Sequence, residues 1–252
     1  MWKKAAFILL IVITGAYVSF LSGCDKGEKS LIVYSGKGLK NAVEDVKQAF
    51  EQKHKIKLYI IYAGSYNLLE TIQKTKKGDI YIPGSLAPVK KAGDLVAHSQ
   101  SIAAHVLAFA VRMDNPKNIQ SYNDLSRAGI NIAVGNKDMC AAGKVAEKIM
   151  KGSKDIEFKK NITITGSTVN ELLDLVVQKE VDASLVWIDM LIWPEAGVLK
   201  LVELPPAINK IQTIPVAVLT TTTDRKSADL FADFMATEGK LIFTKHGFGK
   251  IR

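Results

Sequence analysis

The chain has 252 residues, 48% of them apolar, and 34 lysines and arginines against 25 acids give a formal charge of +9. Only two cysteines are present, Cys24 and Cys140, which excludes a disulfide scaffold and leaves burial to supply the stability. The basic charge admits nucleic acid, anionic lipid or a small anion as partner, but the lysines (Lys53, Lys55, Lys57, Lys90, Lys91, Lys159 and others) are scattered without interleaved aromatics, so a nucleic-acid stacking platform is excluded.

Residues 1–23 read as a secretory signal: two lysines, an uncharged apolar run and a small-residue cleavage site. A transmembrane anchor is the competing reading, because the run is near spanning length. Leu21-Ser22-Gly23-Cys24 resembles the bacterial lipobox, which implies cleavage before Cys24 and lipid attached to it. Asp25 resembles the signal that retains such lipoproteins at the inner membrane. Residues 24–30 then form a lipidated tether, and loss of Lys3 and Lys4 takes the charge from +9 to +7.

LIVYS (31–35) is a buried-strand candidate followed by Gly36, Lys37 and Gly38. Leu39, Ala42, Val43, Val46, Ala49 and Phe50 then recur at helical spacing. KLYIIYA (57–63) is a second strand, NLLETIQKT (67–75) a helix and GDIYIPGS (78–85) a third strand. HVLAFAVRM (105–113) is an apolar strand leaving this unit. INIAVG, NITITGS and VDASLVW are further strands, with helices GKVAEKIM and TVNELLDLVVQKE between them. VLKLVELP and IQTIPVAVLTT read as strands, and residues 225–248 as closing helices. Strands alternating with helices through short loops predict βαβ units and mostly parallel sheets. Two such units appear, and the final strand and helices return most simply to the first. The expected architecture is α/β with two lobes: residues 31–108 plus 214–252, and residues 109–213. Two crossing segments form a hinge, and a cleft lies between the lobes, beyond the carboxyl ends of the strands.

Four strand-to-helix turns carry small or hydroxyl residues: Gly36-Lys37-Gly38, Gly64-Ser65-Tyr66, Cys140-Ala141-Ala142-Gly143 and Ser167-Thr168-Val169. Each alone is an ordinary helix cap. Together, two per lobe, they suit an anion held by hydroxyls and by the unpaired N–H groups of helix starts.

The ordered set KGLKNAVEDVKQAFE, AGSYNLLETI, GDIYIPGS, INIAVGNKDMCAAG, VDASLVW, IPVAVL and FTKHGF resembles the molybdate-binding proteins of bacterial ABC importers over essentially the whole chain after the leader. The resemblance implies the periplasmic-binding-protein fold and a tetrahedral dianion held by hydroxyls and backbone N–H groups. It implies as ligand-binding residues Gly38, Ser65, Ala142, Val169 and Trp187. Gly38 stands where the family usually has serine, and Trp187 where it has tyrosine. Gly38 keeps its N–H and leaves more room, whereas Trp187 is bulkier and only donates. Lys37 is an added candidate, either solvated or contacting the anion in place of the missing hydroxyl. Core packing is the lesser reading of Trp187, and Cys140 reads as a small packing residue.

The resemblance further implies partnership with an ABC permease and its ATPase, a lipid-anchored position on the outer face of the membrane, and a monomer that needs no cofactor or metal. Molybdate or tungstate is the expected ligand, with sulfate, phosphate or a small organic acid as alternatives. An exported enzyme on the same fold is a further one. His54, His98, His105 and His246 are dispersed without metal-ligand spacing, and no GxSxG elbow is present. Gly135 to Lys144 has the wrong glycine spacing for a phosphate loop, with Val145 where a hydroxyl would be needed. No catalytic residue is therefore expected.

Overall fold

The computed structural model describes residues 28–249 except 153–155 and 210. The expected leader 1–23, Cys24 and residues 25–27 of the tether lie outside the described residues. Among the described residues, ten strands form two five-stranded sheets. In chain order the elements of the first half are β1 (Ser30–Gly36), α1 (Lys40–His54), β2 (Lys57–Ala63), α2 (Ser65–Thr75), β3 (Ile80–Ile82), α3 (Leu86–Ala92), β4 (Val96–His105) and β5 (Leu107–Arg112). There follow β6 (Ile132–Gly135), α4 (Ala141–Gly152), α5 (Ile156–Lys160), β7 (Ile162–Gly166), α6 (Val169–Val177), β8 (Ala183–Trp187), β9 (Leu199–Glu203), β10 (Gln212–Leu219), α7 (Arg225–Phe234) and α8 (Lys240–Lys245).

The sheet orders are β2-β1-β3-β10-β4 and β7-β6-β8-β5-β9. β1 pairs in parallel with β2 and β3, and β6 with β7 and β8. β10 is antiparallel to both its neighbours, and so is β5. Four of five strands in each sheet therefore share a direction, and one reversed strand in each is the mark of the chain crossing between lobes. The first crossing falls at Val106, between β4 and β5. The apolar run 105–113 is thus divided between the end of one sheet's edge strand and the reversed strand of the other.

Burial explains why the closing helices return. Ala42, Val43, Val46 and Phe50 bury one face of α1 against β1. Phe50 meets Phe231 of α7 edge-on, ring centroids 4.9 Å apart at 82°. Such a pair contributes roughly 0.5–1.5 kcal/mol beyond its buried area. The opposite face of the first sheet is covered by α2 and α3 through Leu68, Leu69, Ile72 and Val89. The second lobe has its own core, built on Phe109, Ile132, Leu172 and Leu185.

Two elements differ from expectation. Residues 86–104 hold a helix, α3, and most of a ten-residue strand, β4, where no element is expected. The first half of β4 alternates between exposed and half-buried and lies at a sheet edge, so its apolar signal is weak. The closing helical stretch contains a π-helical segment, Met235–Gly239, between α7 and α8.

Candidate functional site: a closed cavity between the lobes

The carboxyl ends of β1 and β2 face those of β7 and β8 across the cleft, and a small cavity lies between them. Its lining includes Lys37, Gly38, Ser65, Ala142, Val169 and Trp187, all six residues singled out from sequence. Gly36, Gly64, Gly84, His105, Cys140, Ala141 and Thr168 complete most of the wall. Among the described residues, no aspartate or glutamate lines it.

The lobes are in contact around this cavity. The Tyr66 N–H belongs to the first turn of α2 and so has no partner within its helix. It donates across the cleft to the Met139 carbonyl at 3.0 Å. Gly64, just before α2, is hemmed in by the other lobe: a Cβ there would lie 2.4 Å from the Met139 carbonyl oxygen and 2.7 Å from that of Ser167. Only glycine permits this approach.

Ser65 is buried, and its position is fixed from two sides. Its hydroxyl accepts a hydrogen bond from the Gly84 N–H at 3.1 Å. The buried Tyr81 hydroxyl donates to its carbonyl. With Gly84 N–H as its donor, the Ser65 hydroxyl has its proton to offer to a ligand. In the second lobe, Thr168 caps α6 by accepting from the Glu171 N–H at 3.3 Å. Glu171 in turn accepts from the Ser167 N–H at 2.7 Å and the Ser167 hydroxyl at 2.8 Å. This reciprocal cap holds the start of α6 at the cavity and ties up the Glu171 carboxylate away from it. Ala142 is fully buried in the first turn of α4, whose N-terminus adds to the positive potential there.

Three expectations are refined by the geometry. The room expected from glycine at position 38 is filled: a Cβ on Gly38 would lie 2.5 Å from Val169 Cγ2. The Val169 methyl occupies the space a serine side chain would need. Lys37 is exposed at the mouth and makes no ion pair among the described residues, so its charge is largely screened by water. Trp187 is buried, and its ring stacks on His105 with centroids 3.5 Å apart and planes inclined 13°. One of its faces is therefore covered, and its Cδ1 edge points towards Gly38.

Cys140 also lines the cavity, and burial pushes its thiol up to about 11, against the opposing pull of the Ala142 and Gly143 N–H groups. It stays a neutral thiol at neutral pH. His105 and Gly84 are not legible in the sequence as site residues. His105 is placed by the end of β4, and nothing in its neighbouring residues announces the contacts it makes with Gly84 and Trp187.

The sequence signature of the family described as bacterial extracellular solute-binding protein matches residues 31–249. A Haemophilus influenzae protein described as a binding protein is 27% identical over 222 residues, 86% of this chain and 90% of its own length. The molybdate-binding protein ModA of Mycobacterium tuberculosis is 25% identical over 234 residues, covering 91% and 88% of the two chains. Among solved structures, the sulfate-binding protein SubI of the same species superposes with a TM-score of 0.72 at 21% identity, over 87% of this chain and 86% of its own. With two lobes, a closed cleft and a family signature that runs from β1 to the segment after α8, the chain belongs to the bacterial extracellular solute-binding proteins.

Proposed function

We propose that this protein captures a tetrahedral oxyanion, molybdate or tungstate first, and delivers it to the permease of an ABC importer driven by its ATPase. The observation that carries this reading is the chemistry of the cavity: helix starts from both lobes converge on it, and no carboxylate among the described residues lines it. Gly38, Ser65, Ala142, Val169 and Trp187 would hold the anion through N–H groups, the Ser65 hydroxyl and the indole. Lys37 would contribute a screened attraction at the mouth. An anion touching both lobes stabilises the closed state, since only differential affinity shifts such an equilibrium.

Sulfate is the second reading, favoured by one observation. Val169 fills the space beside Gly38, and Trp187 is bulky, which together suit a smaller tetrahedron. The protein itself would perform no chemistry. It would work as a monomer held at the outer face of the membrane by lipid on Cys24, after removal of residues 1–23. Mass spectrometry of native protein should find an acylated N-terminus at Cys24; an intact leader on the mature chain would refute the anchor.

A thermal-shift screen over oxyanions tests the ligand class. A ligand at about a hundred times its Kd adds roughly 2.7 kcal/mol of stability, which is easily seen. A shift with tetrahedral dianions is expected; no shift with any of them would remove the reading.

A further inference from the structure

His105 lines the back of the cavity, and behind it lies a buried aspartate, Asp189; the hydrogens of the two can be counted. His105 Nε2 lies 2.6 Å from the Gly84 carbonyl oxygen. A carbonyl only accepts, so Nε2 carries a hydrogen and donates it. The other ring nitrogen, Nδ1, lies 3.4 Å from Asp189 Oδ1. The two side chains are 1% and 2% exposed. Among the described residues, neither Nδ1 nor either Asp189 oxygen has an aligned hydrogen-bond partner, and all three atoms are buried. The 3.4 Å approach is close enough for an ion pair but too poorly aligned to count as a full hydrogen bond.

A bare Nδ1 facing an ionised Asp189 would set two lone pairs against each other in a dry site. It would also leave a buried carboxylate with no donor at all, which is strongly unfavourable. One proton between them removes both problems, whether it sits on nitrogen or on oxygen. We propose that His105 and Asp189 share one proton, and that the pair so formed keeps the back of the anion cavity electrically neutral. Without His105, the Asp189 carboxylate would stand unscreened behind the site and repel the ligand.

The pair reaches the ligand by charge alone. Both His105 nitrogens are turned away, one to Gly84 and one to Asp189, so His105 offers the anion no N–H. Asp189 lies behind His105 and does not line the anion cavity; only its charge, if left unneutralised, would reach the ligand. His105 lines a second cavity on the hinge side together with Asp189, Val106, Ile188 and Gly247. Among the described residues, the other titratable groups lining either cavity are Lys37 and the neutral Cys140 thiol. No other acid among the described residues lines either cavity. The inference rests on the reading of this cavity as an anion site.

The test is a double-mutant cycle read by calorimetry, with molybdate and sulfate as probes. His105→Gln keeps a donor for Gly84 but strips Asp189 of its partner, and should weaken binding about tenfold or more. Asp189→Asn removes the charge and should change affinity by no more than about threefold. His105→Gln with Asp189→Asn should recover most of the loss, because the unpaired charge is gone. A packing role would make the double variant the worst of the three, and that result would overturn the proposal. Nuclear magnetic resonance of the ligand-free wild-type protein decides independently of any ligand. The His105 ring and Asp189 carboxyl signals should show one proton on Nδ1 or on the carboxyl. A bare Nδ1 opposite an ionised Asp189 would refute the pair. If neither probe binds, the anion reading falls, while the spectrum still decides whether the two side chains share a proton.

Discussion

Val169 Cγ2 occupies the position where a side chain on Gly38 would begin, with 2.5 Å between that methyl and a Cβ built on the glycine. The two residues belong to different lobes and fit each other only when the cleft is shut. Restoring serine at position 38 should therefore hinder closure rather than add a ligand contact. Gly38→Ser alone should weaken oxyanion binding by about 1–3 kcal/mol, the usual cost of overpacking. Adding Val169→Ala should recover most of that. Calorimetry on the three variants checks it, and tighter binding by the single variant would show that the methyl simply moves aside.

Ser65 gives a prediction with a different cause. Its hydroxyl takes the Gly84 N–H and has its proton left for the anion. Ser65→Ala should weaken binding by about 1–3 kcal/mol, the range for a hydrogen bond to a charged group. The fold should persist, because Tyr81 still donates to the residue 65 carbonyl. Unchanged affinity with an unchanged circular dichroism spectrum would place the anion elsewhere in the cavity.

Gly64 tests closure without touching the ligand groups. A methyl there meets the Met139 and Ser167 carbonyl oxygens, both backbone atoms that cannot swing away. Gly64→Ala should hold the lobes apart, so that small-angle scattering shows no compaction on adding anion. Affinity should fall about ten- to a hundredfold, in line with 1–3 kcal/mol of steric cost. Wild-type compaction in this variant would mean that the lobes close along another path.

Much of the first lobe is legible in the sequence because its signals are local. The helical spacing of Val43, Val46 and Phe50 and the apolar run of β1 fix the turn that carries Lys37 and Gly38. The four small-residue turns are legible for the same reason, since each sits between a strand and a helix pattern. β4 is not, because a half-exposed edge strand is held by backbone pairing with β10 far along the chain. His105 is equally hidden: its contacts with Gly84, Trp187 and Asp189 are all distant in sequence. The fit of Gly38 to Val169 is hidden too, since a missing side chain says nothing about which neighbour fills its place.

Cys140 supplies a pH prediction. Its thiol sits at about 11 in the folded chain against 9.0 when unperturbed, mainly through burial. A raised value means that folding favours the protonated form. The contribution is whole below pH 9 and is lost as pH rises through about 11. Between those limits the wild type should lose stability faster than Cys140→Ala. Denaturant midpoints at a series of alkaline pH values check this, and parallel losses in both proteins would contradict it. Alkylation of the native thiol near neutral pH should likewise be slow.

The most direct test titrates molybdate, tungstate, sulfate and phosphate into one preparation of the protein by calorimetry. A lining that presents donors and no carboxylate satisfies a fully ionised tetrahedron, whereas hydrogen phosphate brings a proton that needs an acceptor. The predicted result is tightest binding by a fully ionised dianion, molybdate or tungstate ahead of sulfate, with phosphate weakest. Phosphate binding tightest, or no inorganic oxyanion binding at all, would contradict the account.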